Sequence, residues 1–157
     1  MRIFAVGNSF YGDDGIGAAV LEAIREGDSF PGARLVDLQT DALALVDALA
    51  PGETNVVIDA ADMGLDPGEA MGFRPSEVEL RIRGDHLSLH GFGLADAFGL
   101  AAQLGRLPRR VLVVGVQPER VAINEDLSDT VAAAVPAVID IIRAEVAAHE
   151  GEDHPGH

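Results

Sequence analysis

Two short runs, Asn55-Val56-Val57-Ile58-Asp59 and Val111-Leu112-Val113-Val114-Gly115-Val116, are apolar at almost every position rather than at alternate ones. A strand with one face in water alternates, whereas one that is apolar on both sides must be covered on both, as central strands of a parallel sheet are by helices above and below. The rest of the chain fits that demand. Further strands are predicted over residues 2–6 and 34–38, the two runs extend to 55–60 and 110–116, and all are bounded by Gly, Pro or Asp. Helical patterns occupy 15–26, 41–49, 92–104 and 128–148, the last containing Pro136, which predicts a kink or a split. A fifth strand is expected within 69–82, where Val78-Glu79-Leu80-Arg81-Ile82 alternates like a half-exposed edge. The expectation is a single-domain, three-layer α/β fold: a twisted, mostly parallel sheet of about five strands with helices on both faces. The domain spans residues 1–149, and the polar tail 150–157 is expected to be disordered.

At 157 residues the chain is long enough to bury a real core, and its 48% apolar content and mean hydropathy of +0.19 exclude a disordered polymer. No apolar run approaches the roughly 18 residues of a membrane span, and Met1-Arg2 does not lead into a signal-peptide segment, so a cytoplasmic monomer is expected. Cysteine is absent, which removes disulfides, thiol nucleophiles and thiolate ligands; any metal must be held by oxygen and nitrogen. A formal charge of −15 repels nucleic acid and anionic membranes, and the same field attracts cations or a basic protein segment, besides favouring solubility.

Three constellations carry chemistry. The first is Gly7-Asn8-Ser9-Phe10-Tyr11-Gly12-Asp13-Asp14-Gly15-Ile16-Gly17, a strand-to-helix loop with adjacent carboxylates, where open α/β sheets bind ligands. Either Asp could instead cap the following helix. Asn8 could orient a ligand or fix the loop through its amide. The second is Asp59, placed at the end of a buried strand and so either a ligand or a hydrogen-bonded turn former; Asp62 reads as a turn residue. The third is His90, just ahead of an amphipathic helix, where a histidine caps, faces solvent or coordinates; two candidate carboxylates elsewhere favour coordination. His86 reads as a solvated neighbour. No His-Glu-x-x-His helix exists, Ser9 and Ser88 lack a nucleophile-elbow setting, and the first loop lacks phosphate-binding Gly-x-Gly-x-x-Gly spacing.

These motifs, together with Ile58-Asp59-Ala60-Ala61-Asp62, Ser88-Leu89-His90-Gly91-Phe92-Gly93-Leu94-Ala95-Asp96, and Val114-Gly115-Val116-Gln117-Pro118-Glu119 followed by Leu127-Ser128, resemble the hydrogenase maturation proteases. Those endopeptidases mature the large subunit of nickel-iron hydrogenases. The resemblance implies removal of the carboxyl-terminal extension of the nickel-loaded large-subunit precursor. Asp14, Asp59 and His90 would serve as both metal ligands and catalytic residues, with nickel supplied by the precursor and another divalent metal possible in the isolated protein. The metal would act as a recognition element or would polarise a carbonyl or activate water directly. The family's Asp-Gly-Gly-Thr-type loop corresponds here to Asp37-Leu38-Gln39-Thr40, with both glycines replaced, which marks a subgroup. The alternatives are a non-catalytic metal- or nucleotide-binding α/β module and a chaperone that only holds the precursor.

Overall fold

In the computed structural model, which describes residues 1–85, 92–119, 121–123 and 125–152, the two continuously apolar runs become the innermost strands. The sheet contains β1 (Arg2–Val6), β2 (Arg34–Gln39), β3 (Thr54–Asp62), β4 (Ala70–Phe73), β5 (Gly84–Asp85) and β6 (Arg110–Val116). Its order is β2-β1-β3-β6-β4, with β5 paired to β3 off this path. The β1–β2, β1–β3 and β3–β6 pairs are parallel; β4 runs antiparallel to β6, and Gly84–Asp85 pairs antiparallel with the last two residues of β3. The helices are α1 (Ile16–Gly27), α2 (Ala42–Ala48), α3 (Val78–Arg81), α4 (Leu94–Gln103), α5 (Asp129–Ala132) and α6 (Val135–Glu152).

Alternate strand residues enter two separate cores, as a pleat covered on both sides requires. Ile3, Ala5, Val56, Ile58, Leu112 and Val114 pack with Val20 and Ile24 of α1 and Val138 and Ile142 of α6. Phe4, Val6, Val57, Val111 and Val113 pack with Leu45 of α2 and Leu94 and Phe98 of α4. Each such fully buried side chain contributes roughly 1.5–3 kcal/mol, so the three-layer arrangement follows from the sequence pattern.

The edge strand expected within 69–82 is present as the antiparallel Ala70–Phe73, but the alternating stretch that suggested it is not that strand: Val78–Arg81 is helical. Val78 is buried whereas Leu80 is 78% exposed, so the apolar residues used here are Val78 and Ile82, one helical turn apart. Pro75 opens a 3-10 turn (Pro75–Glu77), and the Glu77 carboxylate accepts the Arg74 backbone N–H at 3.1 Å, a start signal for helix.

Pro136 splits the last helical segment, α5 ending at Ala132 and α6 starting at Val135, where a proline in the first turn costs no hydrogen bond. Residues 150–152, expected in the disordered tail, belong instead to α6, which continues through Glu152; residues 153–157 lie outside the described residues. Strand β4 and helix α6 are joined by a bidentate ion pair: Arg74 donates to both Glu145 carboxylate oxygens, one at 2.9 Å, and to the Val111 carbonyl at 3.1 Å. His149 lies 3.0 Å from the same carboxylate. Among the described residues, no helix is long and apolar enough to cross a membrane.

Candidate functional site

Because β1, β3 and β6 are parallel, their carboxyl ends share one edge, and α1 and α4 lead the chain back from it. The first loop turns at this edge. Gly7 has φ +133°, and a Cβ there would lie 2.2 Å from the Asp14 carbonyl oxygen, so only glycine lets the loop fold back on itself. The Asn8 N–H donates to Asp14 Oδ2 at 2.6 Å, and Asn8 Oδ1 accepts from the Phe10 N–H at 2.9 Å. Asn8 therefore fixes the loop, the second of its two expected roles. Asp13 and Asp14 lie in a 3-10 turn (Gly12–Gly15) that leads directly into α1, whose N-cap is Gly15.

The two adjacent aspartates are 0% and 1% exposed and do different work. Asp13 is an anchor: its carboxylate accepts from the Glu119 N–H at 2.9 Å, the Ser128 N–H at 2.7 Å and the Ser128 hydroxyl at 2.9 Å. Both ends of the 119–128 connection are thus pinned beneath the turn. A further backbone bond from Gly12 N–H to the Glu125 carbonyl, 3.0 Å, ties the middle of that connection alongside. Nothing local in the sequence signals this anchor; only the pairing of the Asp13-Asp14 and Leu127-Ser128 motifs could have pointed to it.

Asp59 is 1% exposed and sits three residues inside β3, opposite Gly115, rather than at the strand's end as expected. The strand extends because Ala61 and Asp62 continue past the parallel sheet to pair with β5. Its neighbour β1 pairs Ala5 with Ile58, so Asp59 lies level with the point where β1 gives way to the Gly7 loop. Helix α1 is seated against the same place: a Cβ on Gly17 would be 2.9 Å from the Ala5 Cβ and 3.1 Å from the Ile58 carbonyl oxygen. Asp14, in the turn after β1, and Asp59, toward the end of the adjacent β3, consequently lie toward the same carboxyl side of the sheet. By strand alternation Asp59 falls on the α2 and α4 side, with Val57 and Ala61. The first turn of α4 begins at this edge; His90 and His86 lie outside the described residues.

Asp62 closes a turn, accepting from the Gly64 N–H at 3.0 Å and from Gln117 Nε2 at 3.2 Å. The Gly64 hydrogen bond, then that of Gln117, hold its carboxyl below the ordinary value despite some desolvation. Gln117, which sequence reasoning left unassigned, also accepts the Met63 and Leu65 N–H groups at 2.8 and 3.2 Å and so links the ends of β3 and β6. At the end of β2, Gln39 takes a left-handed φ of +53°, and its carbonyl accepts the Gly7 N–H at 2.7 Å. The backbone shape suited to glycine persists there although the glycine is gone.

Two buried carboxylates at one edge suit a divalent cation with oxygen-preferring or borderline chemistry. Among the described residues, no group of three His, Cys, Asp or Glu side chains is arranged to hold a metal.

A hydrogenase maturation protease family profile matches residues 18–145. The chain belongs to the hydrogenase maturation protease family. It is 38% identical over 118 residues to the hydrogenase expression/formation protein HoxM of Azotobacter vinelandii, covering 74% of this chain and 57% of that protein. It is 28% identical over 145 residues to the hydrogenase 2 maturation protease of Escherichia coli, covering 90% and 88%. The structure of the hydrogenase maturating endopeptidase HybD from E. coli superposes with a TM-score of 0.78 at 26% identity, over 95% of this chain and 94% of that one. The chain spans just over half the length of the HoxM and HupM relatives it matches, while the α/β fold is shared over nearly its whole length.

Proposed function

We propose that this member of the hydrogenase maturation protease family is an endopeptidase that removes the carboxyl-terminal extension of a nickel-iron hydrogenase large-subunit precursor, and does so once nickel is in place. Hydrolysis consumes one water across the scissile C–N bond, leaving a carboxylate on the subunit and an amine on the released tail. Asp14, Asp59 and His90 grasp the nickel carried by the precursor and dock the scissile segment beside it. The observation that carries this reading is the presence of two buried carboxylates, one in the turn after β1 and one in the adjacent strand β3, in a chain of this family. A pocket of oxygen and nitrogen donors, in a protein without cysteine, holds a divalent ion without stripping it from thiolates of the substrate. The protein works as a cytoplasmic monomer.

Incubating the purified chain with nickel-loaded and nickel-free precursor tests the proposal. Shortening of the loaded form alone is expected; shortening of neither form, or of both equally, overturns it. His90→Ala should abolish processing while changing stability by less than about 1 kcal/mol, as for a surface ligand. Binding without shortening by the unaltered chain would identify a holding chaperone instead.

A further inference from the structure

Arginines gather at one end of the strand axis, where Arg2, Arg25 and Arg110 are paired with Glu53, Glu22 and Glu152. All eleven cationic residues are arginines, and Arg2, Arg34 and Arg110 are the first residues of β1, β2 and β6, at the edge opposite the buried carboxylates. Arg25, in the last turn of α1, and Arg106, which donates to the carbonyls of Val46 and Asp47, join them there. The carboxyl edge is instead rimmed by exposed acids, among them Asp37, Asp41, Asp66, Glu119, Asp126 and Asp129. Arg83 is placed at this edge by its backbone bond to Asp62. With 26 acidic residues against 11 basic ones the chain carries a net negative charge, to which these exposed rim carboxylates contribute.

Inside the rim lies apolar surface. Phe10, Val121 and Ile123 are 70%, 47% and 67% exposed, on the two connections that the Tyr11–Glu125 bridge and the Gly12–Glu125 bond hold side by side. Single exposed apolar residues are ordinary, but three on adjoining loops beside a functional edge mark a contact surface. Asp13 fixes that surface relative to Asp14, since one carboxylate anchors residues 119 and 128 and belongs to the same 3-10 turn.

Building on the proteolytic reading, we propose that Phe10, Val121 and Ile123 form a docking platform for a segment of the hydrogenase precursor whose apolar side chains are flanked by Lys or Arg. The apolar groups bury against the platform, and the acidic rim sets the approach and register of the cationic flanks. Asp13 is a positioning residue in this arrangement: it touches no substrate and holds the platform at a fixed offset from the cation pocket.

The test uses the full chain and nickel-loaded precursor, with cleavage and equilibrium binding to immobilised precursor measured separately. The exposed double substitution Phe10→Ser/Ile123→Ser should raise KM and Kd tenfold or more, with kcat within twofold, because an interaction present equally in ground and transition states is removed. Glu119→Gln/Asp126→Asn should weaken binding several-fold at low salt and converge with the unaltered chain at high salt, where surface charges are screened. Replacing Lys and Arg near the precursor's scissile bond by Gln should erase the same salt dependence. Unchanged Kd in the Phe10/Ile123 variant, or binding insensitive to salt, overturns the platform whether or not cleavage occurs. Intact, platform-dependent binding by a chain that never cleaves would sink the proteolytic reading alone.

Discussion

Asp13 and Ser128, 115 positions apart in sequence, are joined twice: the Ser128 N–H and hydroxyl both donate to the Asp13 carboxylate, at 2.7 and 2.9 Å. With the Glu119 N–H this makes three donors on one fully buried anion. Asp13→Ala leaves all three without their acceptor and should cost about 3 kcal/mol, given that an unsatisfied buried donor costs roughly 1–3 kcal/mol and that neighbouring losses do not add. Asp13→Asn keeps one acceptor oxygen and should cost about half as much. Urea unfolding of the two variants against the unaltered chain decides it, and near-equal midpoints for all three would show that the anchor carries no stability.

Gly7 faces a different constraint, since its φ of +133° suits no L side chain and a Cβ would sit 2.2 Å from the Asp14 carbonyl oxygen. Gly7→Ala should therefore lose at least about 3 kcal/mol, through backbone strain compounded by displacement of the turn. Processing should fall further than stability predicts, because the displaced turn carries Asp14. Activity measured at a temperature where the variant is still folded separates the two losses.

Gln39 occupies left-handed backbone at φ +53°. Gln39→Gly trades relief of about 1 kcal/mol of strain for a similar entropy cost in the unfolded chain, so stability should stay within about 0.5 kcal/mol. Gln39→Val should lose about 1–2 kcal/mol, because β-branched residues tolerate this region worst. Thermal midpoints of the pair test this; equal loss in both would place the cost in the glutamine side chain instead of the backbone.

Glu145 gives the acid limb of the stability curve. Desolvation pushes its carboxyl up, but the hydrogen bonds from Arg74 and then His149 outweigh it and hold the folded value below the ordinary 4.5. A group whose folded pKa is depressed stabilises fully above its unfolded value and loses that contribution as pH falls through the folded one. Stability should thus decline below about pH 4.5 and Glu145→Gln should flatten that decline, as read from urea midpoints between about pH 6 and pH 3. An unchanged slope in the variant would assign the acid sensitivity to other carboxylates.

The buried strands were legible because nothing but coverage on both faces explains apolar residues at consecutive positions, and the sheet forms where those runs are. Residues 78–82 misled because Val78, Leu80 and Ile82 satisfy a strand's alternation while Val78 and Ile82 alone satisfy a helical turn; what decides is the capping contact from Glu77. The true edge strand was hidden by Gly72, a residue disfavoured in strands, where a Cβ would sit 3.0 Å from the Ile141 side chain on α6, tighter than ordinary contact. In the site, Asp14 and Asp59 could be picked from their places after apolar strands. The division of labour between Asp13 and Asp14 could not, since the partners that make Asp13 an anchor lie more than a hundred positions away.

Gly17 rests on Ala5 and on the Ile58 carbonyl with no room for a side chain between. Helix α1 therefore seats on β1 and β3 at a spacing set by the Ala5 methyl and the strand main chain, with no side chain of its own between. Core substitutions elsewhere can accumulate while the seat of α1 on these two strands, and with it the loop that precedes the helix, keeps its spacing.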